Sequence, residues 1–124
     1  MPQTEVLFYC EANGSTPVLE WLDELHRDDR RAYNKCVEVI ARLRELGSEL
    51  RRPTADFLQD GIYELRARVG RVNYRILYFF HGRNVAILSN GFTKEREIPK
   101  SELATAVRRK SLFESNPQRH THRE

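Results

Sequence analysis

The chain has 124 residues, 40% of them hydrophobic and 31% charged, with a formal net charge of +3 and a pI of about 9.1. That length suits one domain with one core, and no apolar run approaches the roughly 18 residues of a membrane span. The opening "MPQTEVLFYCEANG" has acidic residues and no basic leader, which argues against a secretory signal and predicts a cytoplasmic protein.

In chain order, "VLFYC" (6–10) reads as a short strand, broken by "NGST" (13–16). Thr16 and Pro17 read as N-cap and first position of a helix over 17–26, with Val18, Trp21, Leu22 and Leu25 at helical spacing. Asp28 or Asp29 can cap a second helix, whose stripe is Ala32, Tyr33, Cys36, Val37, Ile40 and Leu43, ended by Gly47. Residues 48–61 read as a loop with at most one turn. Three hairpin-linked strands follow, at 62–68, 72–80 and 85–92, with Gly82 in the second turn. A helix over 99–113 carries Leu103, Ala106, Val107 and Lys110 on repeating faces. The order β-α-α-β-β-β-α predicts an α+β fold. It has an antiparallel-containing sheet of about four strands, the two early helices on one face, and a C-terminal helix. The domain spans 1–114, and 115–124 is expected to be a disordered polar tail. Cys10 and Cys36 are expected to be buried free thiols.

The charge is unevenly placed. Residues 1–61 carry 8 Lys/Arg against 12 Asp/Glu, whereas residues 62–124 carry 13 against 6. Seventeen of the 21 basic residues are Arg, the side chain suited to bidentate phosphate contacts. Arg75 interrupts the apolar run "VNYRILYFF". Strand alternation puts Val72, Tyr74, Ile76, Tyr78 and Phe80 on one face, together with Tyr63, Leu65 and Ala67 of the preceding strand. Arg75 then shares the other face with Glu64, Arg66 and Arg68, and Lys94 and Arg96 reach its rim. Two readings remain open. One is a cationic groove that a polyanion fills. The other is a solvated face on which Glu64 pairs with Arg66 or Arg68, or holds Arg75 as a buried partner.

"YELRARVGRVNYRILY" followed by "GFTKEREIPKSELATAVRR" resembles the RelE/ParE toxin superfamily, and within it the phage-derived HigB-like group. The residues carrying the likeness are Leu65-Arg66, Tyr74 to Tyr78, Gly91-Phe92 with Lys94, and Pro99, Glu102, Leu103, Ala106 and Arg109. They cover roughly residues 60–112. The resemblance implies a RelE-like fold and the toxin of a type II toxin–antitoxin pair. That toxin would be a ribosome-dependent mRNA endoribonuclease with mRNA, the ribosome and a helix-turn-helix antitoxin as partners. The residues themselves show no metal-ligand spacing and no Gly-rich phosphate loop, so no cofactor, no metal and no membrane association are expected. The superfamily also holds ParE-type inhibitors of DNA gyrase, and a non-catalytic nucleic-acid-binding module remains a further alternative. By the resemblance, Arg75 falls on the central catalytic arginine, Arg66 and Arg68 on basic positions of the preceding strand, and Lys94 near a basic residue after the last strand. Glu64 stands where RelE has a third basic residue, and 93–113 has no tyrosine where RelE has a catalytic one.

The expected catalytic set is therefore Arg75, Arg68 and Lys94, with Arg66, Arg71, Arg96 and Phe92 binding RNA. Metal-free cleavage needs attack of a 2′-OH on the adjacent phosphate. Arg75 is always protonated and so stabilises the transition state instead of acting as base. Lys94 can pass a proton. Phe92 has two roles open to it, stacking on a base or packing in the core. His81, in a turn, is a minor titratable candidate. His120 and His122 of the tail offer no preorganised metal ligands.

Overall fold

The computed structural model describes residues 3–94 and 97–123. Strand β1 (Glu5–Tyr9) leads to helices α1 (Pro17–Asp28) and α2 (Arg30–Leu46), then a single 3-10 turn (Gly47–Glu49). Strands β2 (Ala55–Gln59), β3 (Ile62–Val69), β4 (Val72–His81) and β5 (Val85–Lys94) follow, then helix α3 (Lys100–Ser115) and a short β6 (Thr121–His122). The sheet order is β2-β3-β4-β5-β1-β6. β1 runs parallel to β5, and every other pair is antiparallel.

The sheet thus has six strands, not the expected four. The two additions are short and depend on distant partners. β2 forms inside the expected loop because Ala55, Asp56 and Phe57 pair with Leu65, Glu64 and Tyr63 of β3. β6 forms inside the expected disordered tail because His122 and Thr121 pair with Phe8 and Tyr9 of β1. The tail docks through side chains as well. His120 is 6% exposed, stacks on Tyr9 at 5.2 Å and 4° between planes, and its Nδ1 lies 2.8 Å from the Cys10 carbonyl oxygen.

Two cores flank the sheet. The first lies under α1 and α2 and holds Val6, Phe8, Leu65, Ala67, Tyr74, Ile76, Tyr78 and Leu88 with Val18, Leu22, Cys36, Ile40 and Leu43. Val39, not the expected Val37, completes the buried face of α2, and Val37 is 43% exposed. The second core lies under α3 and holds Leu7, Tyr9, Ile62, Leu77, Phe79, Ile87, Phe92, Ala106 and Phe113. The expected face assignment along β3 and β4 therefore holds, and each fully buried Leu or Phe contributes about 1.5–3 kcal/mol.

Local chemistry sets the helix positions. Asp29 is the N-cap of α2, its Oδ1 accepting from the Ala32 N–H at 3.1 Å, while Oδ2 accepts from the Tyr74 hydroxyl at 3.1 Å. One carboxylate thus satisfies an orphan helix donor and ties α2 to the sheet. The Trp21 ring of α1 packs against β5 at Gly91, where any Cβ would sit 2.3 Å from it. Cys10 and Cys36 are both free thiols, Cys36 fully buried and Cys10 half-buried. Burial first, and then the nearby Asp29 carboxylate, push the Cys36 thiol up to about 12. Among the described residues no helix is long and apolar enough to cross a membrane.

Candidate functional site

β2 pairs with β3 only as far as Ala55 opposite Leu65, with one further tie from the Arg66 N–H to the Thr54 carbonyl at 2.7 Å. The end of β3 therefore projects beyond β2. There the Pro53–Thr54 loop, α2 and the sheet enclose a cleft of about 510 Å³. From the sheet it is lined by Arg66, Arg68, Asn73 and Arg75, and from α2 by Lys35, Glu38, Val39 and Arg42. A smaller hollow beside it adds Arg31 next to Lys35 and Arg68. Five cations and one carboxylate line the cleft itself.

The cross-strand register explains the convergence. Arg66 faces Arg75, which faces Phe92 on β5, and in the next row Arg68 faces Asn73, which faces Lys94. Three of the expected residues, Arg66, Arg68 and Arg75, thus meet in one cleft. Lys94 belongs to the Arg68 row by its backbone, while Arg96 lies outside the described residues. Arg71 is exposed in the β3–β4 turn and does not line the cleft.

The arginines do not form a bare cationic floor, as the groove reading expects. Arg75 is 8% exposed and its Nη1 lies 3.3 Å from Glu64 Oε1, while Glu64 is 1% exposed. Arg66 donates through Nε to the same Glu64 oxygen and through Nη2 approaches Asp56 at 3.6 Å. Asp56 in turn meets Arg52 at 3.0 Å. A chain of alternating charge, Arg75–Glu64–Arg66–Asp56–Arg52, runs along the sheet edge. Glu64 pairs with Arg66 and Arg75, whereas Arg68 donates to the Gly70 carbonyl at 3.0 Å. The hydrogen bond from Arg66 to Glu64 raises the guanidinium pKa above its ordinary value. The expectation that Arg75 sits on an open face is therefore corrected. Phe92, opposite Arg75 on β5, belongs to the second core, and Arg75 is a buried member of an ion-pair network in the cleft wall.

Phe92 is also corrected. It is 8% exposed and packed in the second core, the second of its two expected roles, and is not an exposed RNA contact. His81 is exposed at the far end of β4, edge-on to Phe113 at 5.1 Å. Six residues of strand, about 20 Å, separate it from Arg75.

Sequence reasoning missed the α2 contribution. Arg31, Lys35, Glu38 and Arg42 recur at helical spacing on the polar side of α2, a basic stripe legible in the letters but not located without knowing where β2 stops. The motif residues Glu102 and Arg109 act elsewhere. Asn90 Nδ2 donates to Glu102 Oε1 at 2.9 Å, and Arg109 Nη1 donates to the Ser89 carbonyl at 2.6 Å, beside the β-bulge between Leu77 and Tyr78. They clamp α3 to β5. Burial chiefly, with the nearby Glu11 carboxylate opposing it, lowers the pKa of Arg109. Among the described residues no group of three or more His, Cys, Asp or Glu could hold a metal ion.

Fold and cleft together define a small α+β protein with an arginine-lined cleft at one edge of a mixed sheet. A family model described as phage-derived Gp49-like protein (DUF891) matches residues 20–111, from α1 to the last turns of α3. The chain belongs to that family, a toxin-like group related to the RelE and HigB toxins. A search of the curated proteins finds no match.

Proposed function

We propose that this protein is the toxin of a type II toxin–antitoxin pair, acting in the cytoplasm as a ribosome-dependent mRNA endoribonuclease. The observation that carries the reading is the convergence of Arg66, Arg68 and Arg75 with Lys35 and Arg42 on one open cleft. Clustered guanidiniums suit the charge that develops when a 2′-OH attacks the adjacent phosphate and a 5′-oxygen leaves. Arg68, exposed and free of a carboxylate partner among the described residues, binds the phosphate. Arg75, held rigid by Glu64, presents a fixed donor to the non-bridging oxygens. Lys94, in the Arg68 row, is the candidate proton donor to the leaving oxygen. The cleft supplies charge and few proton acceptors. This suits a reaction in which the ribosome aligns the 2′-OH and the hydroxyl proton passes to a ribosomal group or to water. The proposed partners are mRNA, the ribosome and a helix-turn-helix antitoxin.

Primer extension on cellular mRNA after brief induction tests the proposal. In-frame cuts within translated regions are expected, with growth arrest, and both should be lost in Arg68→Ala. Intact mRNA accompanied by gyrase-dependent DNA breaks would instead make the protein a ParE-like inhibitor.

A further inference from the structure

A second surface lies just across the 51–54 loop from the cleft. Phe57 of β2 is 54% exposed, the most exposed large hydrophobic side chain among the described residues. Its ring is fixed edge-on to Tyr63 at 5.2 Å, and Tyr63 is braced by Phe80, also edge-on at 5.2 Å. Beside Phe57 and Tyr63 is a hollow of about 320 Å³, whose lining includes Arg51, Arg52 and Asp56. Both arginines are exposed. Asp56 touches Arg52 at 3.0 Å on this side and Arg66 of the cleft at 3.6 Å on the other. The alternating charge chain therefore joins the two surfaces.

The geometry points to a base-stacking shelf, formed by Phe57 and Tyr63 with Arg51 and Arg52, for a nucleotide of single-stranded RNA flanking the phosphate in the cleft. The inference rests on the RNA-cleaving reading and extends its substrate contact beyond the scissile phosphate. A rigid ring beside guanidiniums is the pairing that single strands use, a π-face for the base and cations for the backbone. The apolar area suits a base and not a protein partner. One ring about half exposed offers roughly 100 Å², against about 800 Å² on each side of a stable protein interface. Phe57 stands on edge strand β2 and is 54% exposed, and its T-shaped contact with Tyr63 covers at most one face of its ring.

The test is fluorescence anisotropy with 2′-O-methyl oligouridines, which cannot be cut, at low salt. A trinucleotide, a nonamer and a nonamer with abasic sugars outside its central three positions are compared. Wild type should prefer the nonamer over both other oligomers. Phe57→Ala should reduce that preference by about 5–150-fold, the range for losing one stacked base. Phe57→Trp should keep it and show new indole emission that the nonamer quenches. Thermal melting establishes that both variants are folded. If the nonamer preference survives in Phe57→Ala while Arg68→Ala abolishes all binding, the shelf is wrong and the cleft reading stands. An abasic nonamer as tight as the intact one also overturns the shelf, leaving charge as the cause. Absence of binding to every oligomer by wild type overturns the shelf, while the RNA-cleaving reading stands or falls separately on the primer-extension result.

Discussion

The Arg75 guanidinium lies 3.3 Å from the Glu64 carboxylate, with both residues more than nine-tenths buried. Its place in a run of apolar strand residues is therefore not that of a surface cation. Removing one partner of a buried pair exposes the other to a desolvation cost it was spared.

Arg75→Ala is expected to lower stability by roughly 2–4 kcal/mol, less than for a fully orphaned charge because Arg66 still serves Glu64. Loss of any toxicity in this variant is uninterpretable without a melting curve. The double variant Arg75→Met with Glu64→Leu should recover part of the loss, since it removes both buried charges and leaves Arg66, partly exposed, with Asp56 as partner. Denaturant unfolding of the single and double variants checks this, and a single variant as stable as wild type would sink the buried-pair account.

Gly91→Ala should destabilise, because the added Cβ meets the Trp21 ring at 2.3 Å. Overpacking of this kind costs about 1–3 kcal/mol. In a Trp21→Ala background the same change should cost far less, since residues in contact couple. A double-mutant cycle by urea unfolding measures the coupling, and additivity would refute the contact.

Cys36 predicts an alkaline limit to stability. Its thiol is raised from 9.0 to about 12 in the folded protein, by burial first and the Asp29 charge second. A raised folded pKa means that the folded state holds the proton more tightly. The contribution is complete below about pH 9 and is lost as pH rises from there towards 12. Cys36→Ala should flatten that part of the pH–stability curve. At pH 8, a thiol reagent should label Cys10 in the native protein and Cys36 only after unfolding.

Truncation after Asn116 removes β6 and His120. It uncovers Tyr9, which is 0% exposed in the full chain, and frees the Cys10 backbone from its 3.0 Å bond to the His120 carbonyl. A loss of about 1–3 kcal/mol is expected from the ring contact and the lost hydrogen bonds. Labelling of Cys10 should accelerate. Unchanged melting and labelling would mean that the tail contributes nothing.

The letters alone determined the three helices, the strands β1, β3, β4 and β5, and the two faces of β3 and β4. Each of these follows from local periodicity, caps and turn residues. Alternation also brought Arg66, Arg68 and Arg75 to one side of the sheet. Tertiary structure decided the rest. β2 and β6, five and two residues long, exist only through pairing with β3 and β1, and no local signal marks a strand whose hydrogen bonds go to remote chain. The depth of Arg75 was equally illegible. A strand pattern says which way a side chain points, but not how deeply it will be buried or that Glu64 will pair with it. Phe92 follows the same logic, its ring taken by a core under a helix that arrives later in the chain. The α2 stripe of Arg31, Lys35 and Arg42 was visible as helix spacing. It became part of a cleft only because β2 stops at Ala55 and leaves the end of β3 open beside it.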